Sequence, residues 1–204
     1  MRMKKPHPVP ARTSAPHEVR LIGGLWKRSK LPVPDLPGLR PTPSRVRETL
    51  FNWLGQNLTG WRCLDAFAGS GALGFEAASR GAAEVLLIEQ NPSLCHTLNQ
   101  NKTRLSAHTV QVQRGDGLAA LRQRAGQGWD VVFLDPPFQQ GNNDELVRNA
   151  LAAARDMLAP EGLIYLEAPR PWQPDELASL GLHTQRLGQA GQVAFHLLRP
   201  LPAA

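Results

Sequence analysis

The chain has little that would staple it together or embed it in a membrane. Among 204 residues there are 2 cysteines, Cys63 and Cys95. Their spacing, with no Cys/His cluster beside either, supports neither a disulfide framework nor a zinc site. A protein without a metal, in the reducing cytoplasm, is the expectation. No apolar run approaches the roughly 18 to 20 residues that span a bilayer, and the start carries charges and prolines instead of an apolar signal segment. No membrane partner is expected. Internal repeats and heptads are lacking too. Acidic residues are scarce at one end: residues 1–62 hold 12 Lys and Arg against 3 Asp and Glu, while the remainder holds 11 against 14. Such asymmetry points to a polyanion partner for the N-terminal part and different work for the rest.

That length suits one sizeable core plus an extension. Residues 1–17 contain Pro6, Pro8, Pro10 and Pro16 with almost nothing to bury, and are expected to be a disordered basic tail. Residues 18–60 are expected to form a small basic ribbon and a helix. The ribbon is placed over Val19–Ile22 and Leu25–Leu31, with Gly23-Gly24 as its turn. Residues 32–41 read as an extended connector. Thr42 resembles an N-cap with Pro43 at the first helical position, for a helix running to about Asn57. Val46, Leu50, Trp53 and Leu54 make its apolar stripe, with Arg45 and Arg47 directed away from it.

From residue 61 to 200 the pattern alternates. Strands are expected at Arg62–Ala66, Glu84–Glu89, Thr109–Arg114, Asp130–Asp135 and Gly162–Glu167, with helices at about 71–80, 92–105, 116–125 and 142–158. Repeated strand–helix units imply a mostly parallel sheet covered on both faces. A short helix at 175–180 and two strands, Leu182–Leu187 and Gln192–Leu198, joined by a Gly188-to-Gly191 turn, would close that sheet with an antiparallel hairpin.

Chemistry concentrates at the strand ends. The first strand runs into Asp65-Ala66-Phe67-Ala68-Gly69-Ser70-Gly71-Ala72-Leu73-Gly74, a loop whose glycines let backbone approach a ligand and hand the chain to a helix N-terminus. Gly69, Gly71 and Gly74 fit the dinucleotide pattern, with Glu89 where a ribose-binding acid is expected, so a nicotinamide dehydrogenase is one reading. Asp65 argues for another. A carboxylate at that tip repels a pyrophosphate but attracts a cation, and S-adenosylmethionine offers an ammonium and a sulfonium with no phosphate. On that reading Asp65, Ala68, Gly69 and Gly71 form the cofactor cradle and Glu89 takes the ribose hydroxyls. Asp116 and Gly117 face the adenine, Asp116 also serving as a helix N-cap.

The stretch Asp130–Phe138 is an apolar strand ended by Asp135-Pro136-Pro137-Phe138. The prolines cannot continue a ladder, so Asp135 is held at a carboxyl-end tip, where ligands sit in open α/β sheets, and Phe138 can stack on a planar group.

Asp65–Gly74, Glu89, Asp116 and Asp135–Phe138 together resemble a class I S-adenosylmethionine-dependent methyltransferase of the amino-methylating type. Arg40–Leu54, preceded by Ile22-Gly23-Gly24, is more narrowly similar to the bacterial 16S ribosomal RNA (guanine(966)-N(2))-methyltransferase family. The likeness runs from Val19 to Leu198 and includes Ile164–Glu167 and Gly191–Ala194. Such families often show Asn where this chain has Asp135. The resemblance implies a Rossmann-like seven-stranded methyltransferase sheet. It implies transfer of a methyl group from S-adenosyl-L-methionine to a guanine N2 amine of 16S ribosomal RNA, in an assembling or assembled small subunit. Asp135 and the Pro136 carbonyl would accept from the amine, Pro137 would stiffen the turn and Phe138 would stack on a flipped-out base. Arg20, Lys27, Arg28, Lys30, Arg40, Arg45 and Arg47 are the expected phosphate contacts. An adenine-N6 DNA methyltransferase, a glutamine-N5 protein methyltransferase and a non-catalytic RNA-binding assembly factor are the competing readings.

Overall fold

Seven strands share one sheet in the order β5-β4-β3-β6-β7-β9-β8. The computed structural model describes residues 17–34, 36, 39, 41–137 and 144–202. Its central strands are β3 (Arg62–Asp65), β4 (Glu84–Glu89), β5 (Val110–Arg114), β6 (Trp129–Leu134) and β7 (Leu158–Ala168), all parallel. The closing strands β8 (Leu182–Ala190) and β9 (Val193–Pro200) are antiparallel, as expected from the sequence. Between them come α2 (Ala72–Ser79), α3 (Pro92–Arg104), α4 (Gly117–Arg122), α5 (Asp144–Met157) and α6 (Pro174–Ala178). The hairpin turn falls at Gly191, whose φ of 60° suits glycine, so β8 runs further than the expected Leu187.

Alternation along the strands divides the core. Cys63, Val131, Phe133, Leu163 and Tyr165 pack on one face with α2 and α3 residues such as Phe75 and Leu98. Leu64, Val132, Leu134, Ile164 and Leu166 pack on the other with Leu121, Leu151 and Met157. The order in which strands are added reverses between the parallel neighbours β3 and β6: β3 leads outward to β4 and β5, while β6 leads the opposite way to β7. This is the switch point at which parallel sheets leave a crevice beyond their carboxyl ends.

Before the sheet come a two-stranded ribbon, β1 (His17–Arg20) with β2 (Lys30–Val33), and helix α1 (Ser44–Trp53). The expected tail, apart from His17 in β1, lies outside the described residues. Ribbon pairing joins Arg20 to Lys30, so Leu21 to Ser29 forms a longer loop than a two-residue turn. Gly23 and Gly24 serve a different contact. A Cβ on Gly24 would lie 1.8 Å from the Ser79 carbonyl oxygen, so these glycines let the loop press on the end of α2. There Leu25 N–H donates to the Ser79 carbonyl at 2.6 Å. Val19, Leu21, Leu31 and Val33 of the ribbon bury in the same apolar cluster as the first sheet face. Val33 is paired strand, not connector.

Helix α1 is shorter than expected. Its N-cap is Pro43, and the Thr42 side chain does not cap it. Phe51 and Arg47 join Val46, Leu50 and Leu54 on the buried face.

Candidate active site at the strand tips

Asp65 ends β3 and is 2% exposed. Burial above all, then the nearby Glu89 and Glu167 charges, pushes its pKa up to about 7 against the opposing pull of the Gly74 and Phe67 amides. Its buried Oδ1 has no hydrogen-bond partner among the described residues. A buried carboxylate oxygen with a free lone pair is a receptor for a cationic donor.

The loop after it is braced from the neighbouring strand. Gly69 has φ 50° and Gly71 φ 75°, both left-handed, and Gly71 caps α2. Gly69 N–H donates to Glu89 Oε2 at 2.9 Å, and Asn91 N–H to Glu89 Oε1 at 2.8 Å. Ala68 N–H donates to the Ile88 carbonyl at 2.9 Å. Glu89 thus holds the loop's shape with one lone pair on each oxygen while remaining half-buried at the tip of β4. Asp116 is exposed and caps α4, its Oδ1 accepting from Ala119 N–H at 2.8 Å. A Cβ on Gly117 would lie 2.2 Å from the Ala66 carbonyl oxygen, so only glycine lets α4 start against the tip of β3. Asp65, the loop, Glu89 and Gly117 therefore come together at one edge.

Asp135 follows β6 immediately. Register pairs Asp65 with Phe133 and Phe133 with Tyr165, so Asp135 and Glu167 project from the same sheet face as Asp65, on adjacent strands. Pro136 is buried and Pro137 exposed, while Phe138 and Arg40 lie outside the described residues. The Thr42 hydroxyl donates to Asp135 Oδ2 over a long 3.4 Å, and the same hydroxyl favours the ionised form of Glu167. The Tyr165 hydroxyl donates to Glu167 Oε1 at 2.9 Å. Burial, then the neighbouring Glu167 and Asp65 charges, holds the Asp135 carboxyl well above the usual range. Glu167, 4% exposed, is raised by burial against the opposing pull of the Tyr165 and Thr42 hydroxyls.

Thr42, Tyr165 and Glu167 were absent from the site expected from sequence. Glu167 had one legible signal, its place at a parallel strand's carboxyl end. Thr42 had none, since a cap-like threonine before a proline reads as local structure.

The basic set divides. Arg20, Lys27, Arg28, Lys30 and Arg45 are exposed, with Lys30 Nζ 2.7 Å from Glu18 Oε2. The expectation that Arg47 contacts phosphate is corrected. Arg47 is 2% exposed, and its Nη1 donates to Glu76 Oε2 at 3.2 Å, its Nη2 to the Arg20 carbonyl at 3.0 Å and its Nε to the Thr42 carbonyl at 3.2 Å. Glu76 also receives Ile22 N–H at 2.9 Å and Arg80 Nε at 3.0 Å. This buried Arg47–Glu76–Arg80 group binds ribbon, Thr42, α1 and α2 into one unit.

A parallel sheet with its crevice at the β3/β6 switch point, a braced glycine loop on one side and an Asp-Pro-Pro turn on the other defines a Rossmann-like methyltransferase. The family model described as Conserved hypothetical protein 95 matches residues 19–199. Ribosomal RNA small subunit methyltransferase D of Escherichia coli K12 is 44% identical over 196 residues, covering 96% of this chain and 94% of its own length. The Haemophilus influenzae protein of the same name is 40% identical over 187 residues, covering 86% and 96%. A solved structure of a candidate methyltransferase from Escherichia coli superposes with TM-score 0.77 at 39% identity, over 92% of this chain and 100% of that one. The chain belongs to this family, that of the ribosomal RNA small subunit methyltransferase D proteins.

Proposed function

We propose that this protein transfers a methyl group from S-adenosyl-L-methionine to the exocyclic N2 amine of a guanine in 16S ribosomal RNA. The observation that carries the reading is the pair of carboxylates across the switch point, Asp65 beside the glycine loop and Asp135 at the head of the Pro-Pro turn. The relatives named for small-subunit ribosomal RNA methylation support the substrate class.

The cofactor fits the residues present. Among the described residues the unpartnered Oδ1 of Asp65 suits an ammonium, Glu89 keeps lone pairs for ribose hydroxyls, and Gly117 lets α4 start close against the tip of β3, beside the loop. A pyrophosphate would meet the Asp65 charge instead, which disfavours the dehydrogenase reading. When bound, the cofactor supplies an electrophilic methyl group on a cationic sulfur.

The protein's part is to prepare the amine. The guanine N2 lone pair is delocalised into the ring, so the nitrogen attacks only as it rehybridises. Asp135, aimed at an N–H, favours that geometry and stabilises charge developing on nitrogen. Holding nitrogen in line with the methyl is the second large contribution. Exposed Arg20, Lys27, Arg28, Lys30 and Arg45 offer the phosphate contacts, and a base flipped from its stack enters the crevice. An aromatic at Phe138 belongs to this proposal as the stacking partner, worth about 1–3 kcal/mol. The work would be done in the cytoplasm on an assembling or assembled small subunit. The test is incubation with labelled cofactor and small subunits, digestion to nucleosides and identification of the labelled product. N2-methylguanosine is expected, and label on adenine or on protein would refute the substrate assignment.

A further inference from the structure

Three carboxylates, Asp65, Asp135 and Glu167, stand on one sheet face at the tips of β3, β6 and β7. Two of them, Asp135 and Glu167, lie on adjacent strands within reach of a single hydroxyl, Thr42 Oγ1, which donates to Asp135 Oδ2 and also favours the ionised Glu167 carboxylate. One hydroxyl has one proton and can donate to only one carboxylate at a time. Two ionised carboxylates bridged by one donor leave an uncompensated charge, and like charges this close do not both ionise readily. Glu167 takes a hydrogen bond from the Tyr165 hydroxyl. Asp135 is the more exposed member of the two.

Among the described residues none adds a compensating cation to the pair. Asp65 faces it from β3, Tyr165 from β7, and Phe195 of β9 lies opposite Glu167 in register. From the α1 side Arg47 reaches only the Thr42 carbonyl, its charge being committed to Glu76. Burial raises both carboxyls of the pair.

We propose that Asp135 and Glu167 form one titrating pair, with Glu167 as a positioning residue, which holds a shared proton in the free protein, gives it up when a sulfonium ligand binds, and takes up the proton released by the methylated amine. This deepens the proposed function and rests on it. The balance closes. Methyl transfer forms a C–N bond and breaks a C–S bond, whose electron pair stays on sulfur; the amine nitrogen becomes cationic and loses one proton. As the sulfonium charge disappears, the pair is again a dianion without a cation, so it regains affinity for a proton at the moment one is released. Asp135 receives it, and the Thr42 hydroxyl, rotating between the two carboxylates, lets Glu167 share it. Glu167 acts through Asp135 and does not touch the substrate.

The test is calorimetric titration of the whole protein at pH 7 in buffers of differing ionisation enthalpy, which counts protons exchanged on binding. Wild type is expected to release roughly one more proton with S-adenosylmethionine than with S-adenosylhomocysteine, which lacks the sulfonium charge. Glu167→Gln should remove most of that difference while keeping S-adenosylhomocysteine affinity within about 3-fold, because the remaining Asp135 carboxyl loses the stronger of its two like-charged neighbours and keeps only Asp65. Asp135→Asn should remove it equally, and carries the test should Glu167→Gln not fold. A proton difference that persists unchanged in the folded variant would overturn the pair, and would assign the proton to Asp65 or to the ligand. Equal proton counts for both ligands in wild type would overturn it as well. Failure to bind either ligand would instead refute the proposed function, so the two failures are distinguishable.

Discussion

Thr42 and Asp135, 93 positions apart, meet through a hydroxyl–carboxylate hydrogen bond of 3.4 Å. The contact ties the segment entering α1 to the carboxylate at the tip of β6, so the N-terminal unit and the candidate catalytic edge are in direct contact. Thr42 is in turn held by Arg47, which donates to its carbonyl from a buried ion pair with Glu76. Ribbon placement and Asp135 orientation are therefore mechanically connected.

Thr42→Val removes the bond and keeps the volume. A net hydrogen bond of about 1 kcal/mol corresponds to a rate loss of roughly 5- to 10-fold. Steady-state methyl transfer should show that loss in kcat, with S-adenosylhomocysteine affinity unchanged. A change in affinity alone would mean that Thr42 acts on the cofactor side.

Arg47 and Arg45 should part company. Arg47→Ala leaves Glu76 buried with one partner fewer, and breaking such a pair costs about 3–5 kcal/mol, visible as a large fall in Tm. Arg45→Ala should leave Tm unaltered and lower the salt slope of RNA binding by about 1, since it is exposed and is proposed to make one phosphate contact. Cofactor affinity should be nearly independent of salt in every case.

Stability should fall as pH rises. An acid whose folded pKa lies above its unfolded one binds its proton more tightly when folded, so its contribution is present at low pH and lost between the two values. For Asp65 the window runs from the ordinary aspartate value of 3.8 to about 7. Asp135 and Glu167 are shifted in the same direction. The ligand-free protein should lose on the order of a few kcal/mol between about pH 4 and 8, and Asp65→Asn should flatten that slope. Denaturant midpoints at fixed ionic strength measure it, and a slope of opposite sign would contradict the assigned burial.

Gly117→Ala places a methyl group 2.2 Å from the Ala66 carbonyl oxygen. Backbone must shift there, since a carbonyl cannot rotate aside as a side chain does. S-adenosylhomocysteine binding should weaken by at least about 10-fold, a loss of about 1.4 kcal/mol, with the sheet intact by circular dichroism.

What the residues announced and what they concealed follows from the range of the interactions. Strand β4 is found at Glu84–Glu89 as expected, and the Asp130–Asp135 run ended one residue from its expected boundary, because apolar runs closed by charge or proline are local signals. Gly69, Gly71 and Glu89 were legible as a loop and an acid at fixed spacing. Their mutual brace, the Gly69 amide on Glu89, was not, since it crosses from one strand to the next. Arg47 looks like Arg45 in sequence, and only Glu76, 29 residues away on α2, makes one a core strut and the other a surface cation. Thr42 and Glu167 were hidden for the same reason: each matters through a partner on a different element.

The central claim is that Asp135 receives the amine at which the methyl group arrives. Single-turnover transfer of labelled methyl to small subunits measures it most directly, with wild type and Asp135→Ala compared at saturating cofactor. The account predicts N2-methylguanosine with wild type, and with the variant a rate reduced by at least about 100-fold while cofactor still binds. Transfer by Asp135→Ala at the wild-type rate would contradict it.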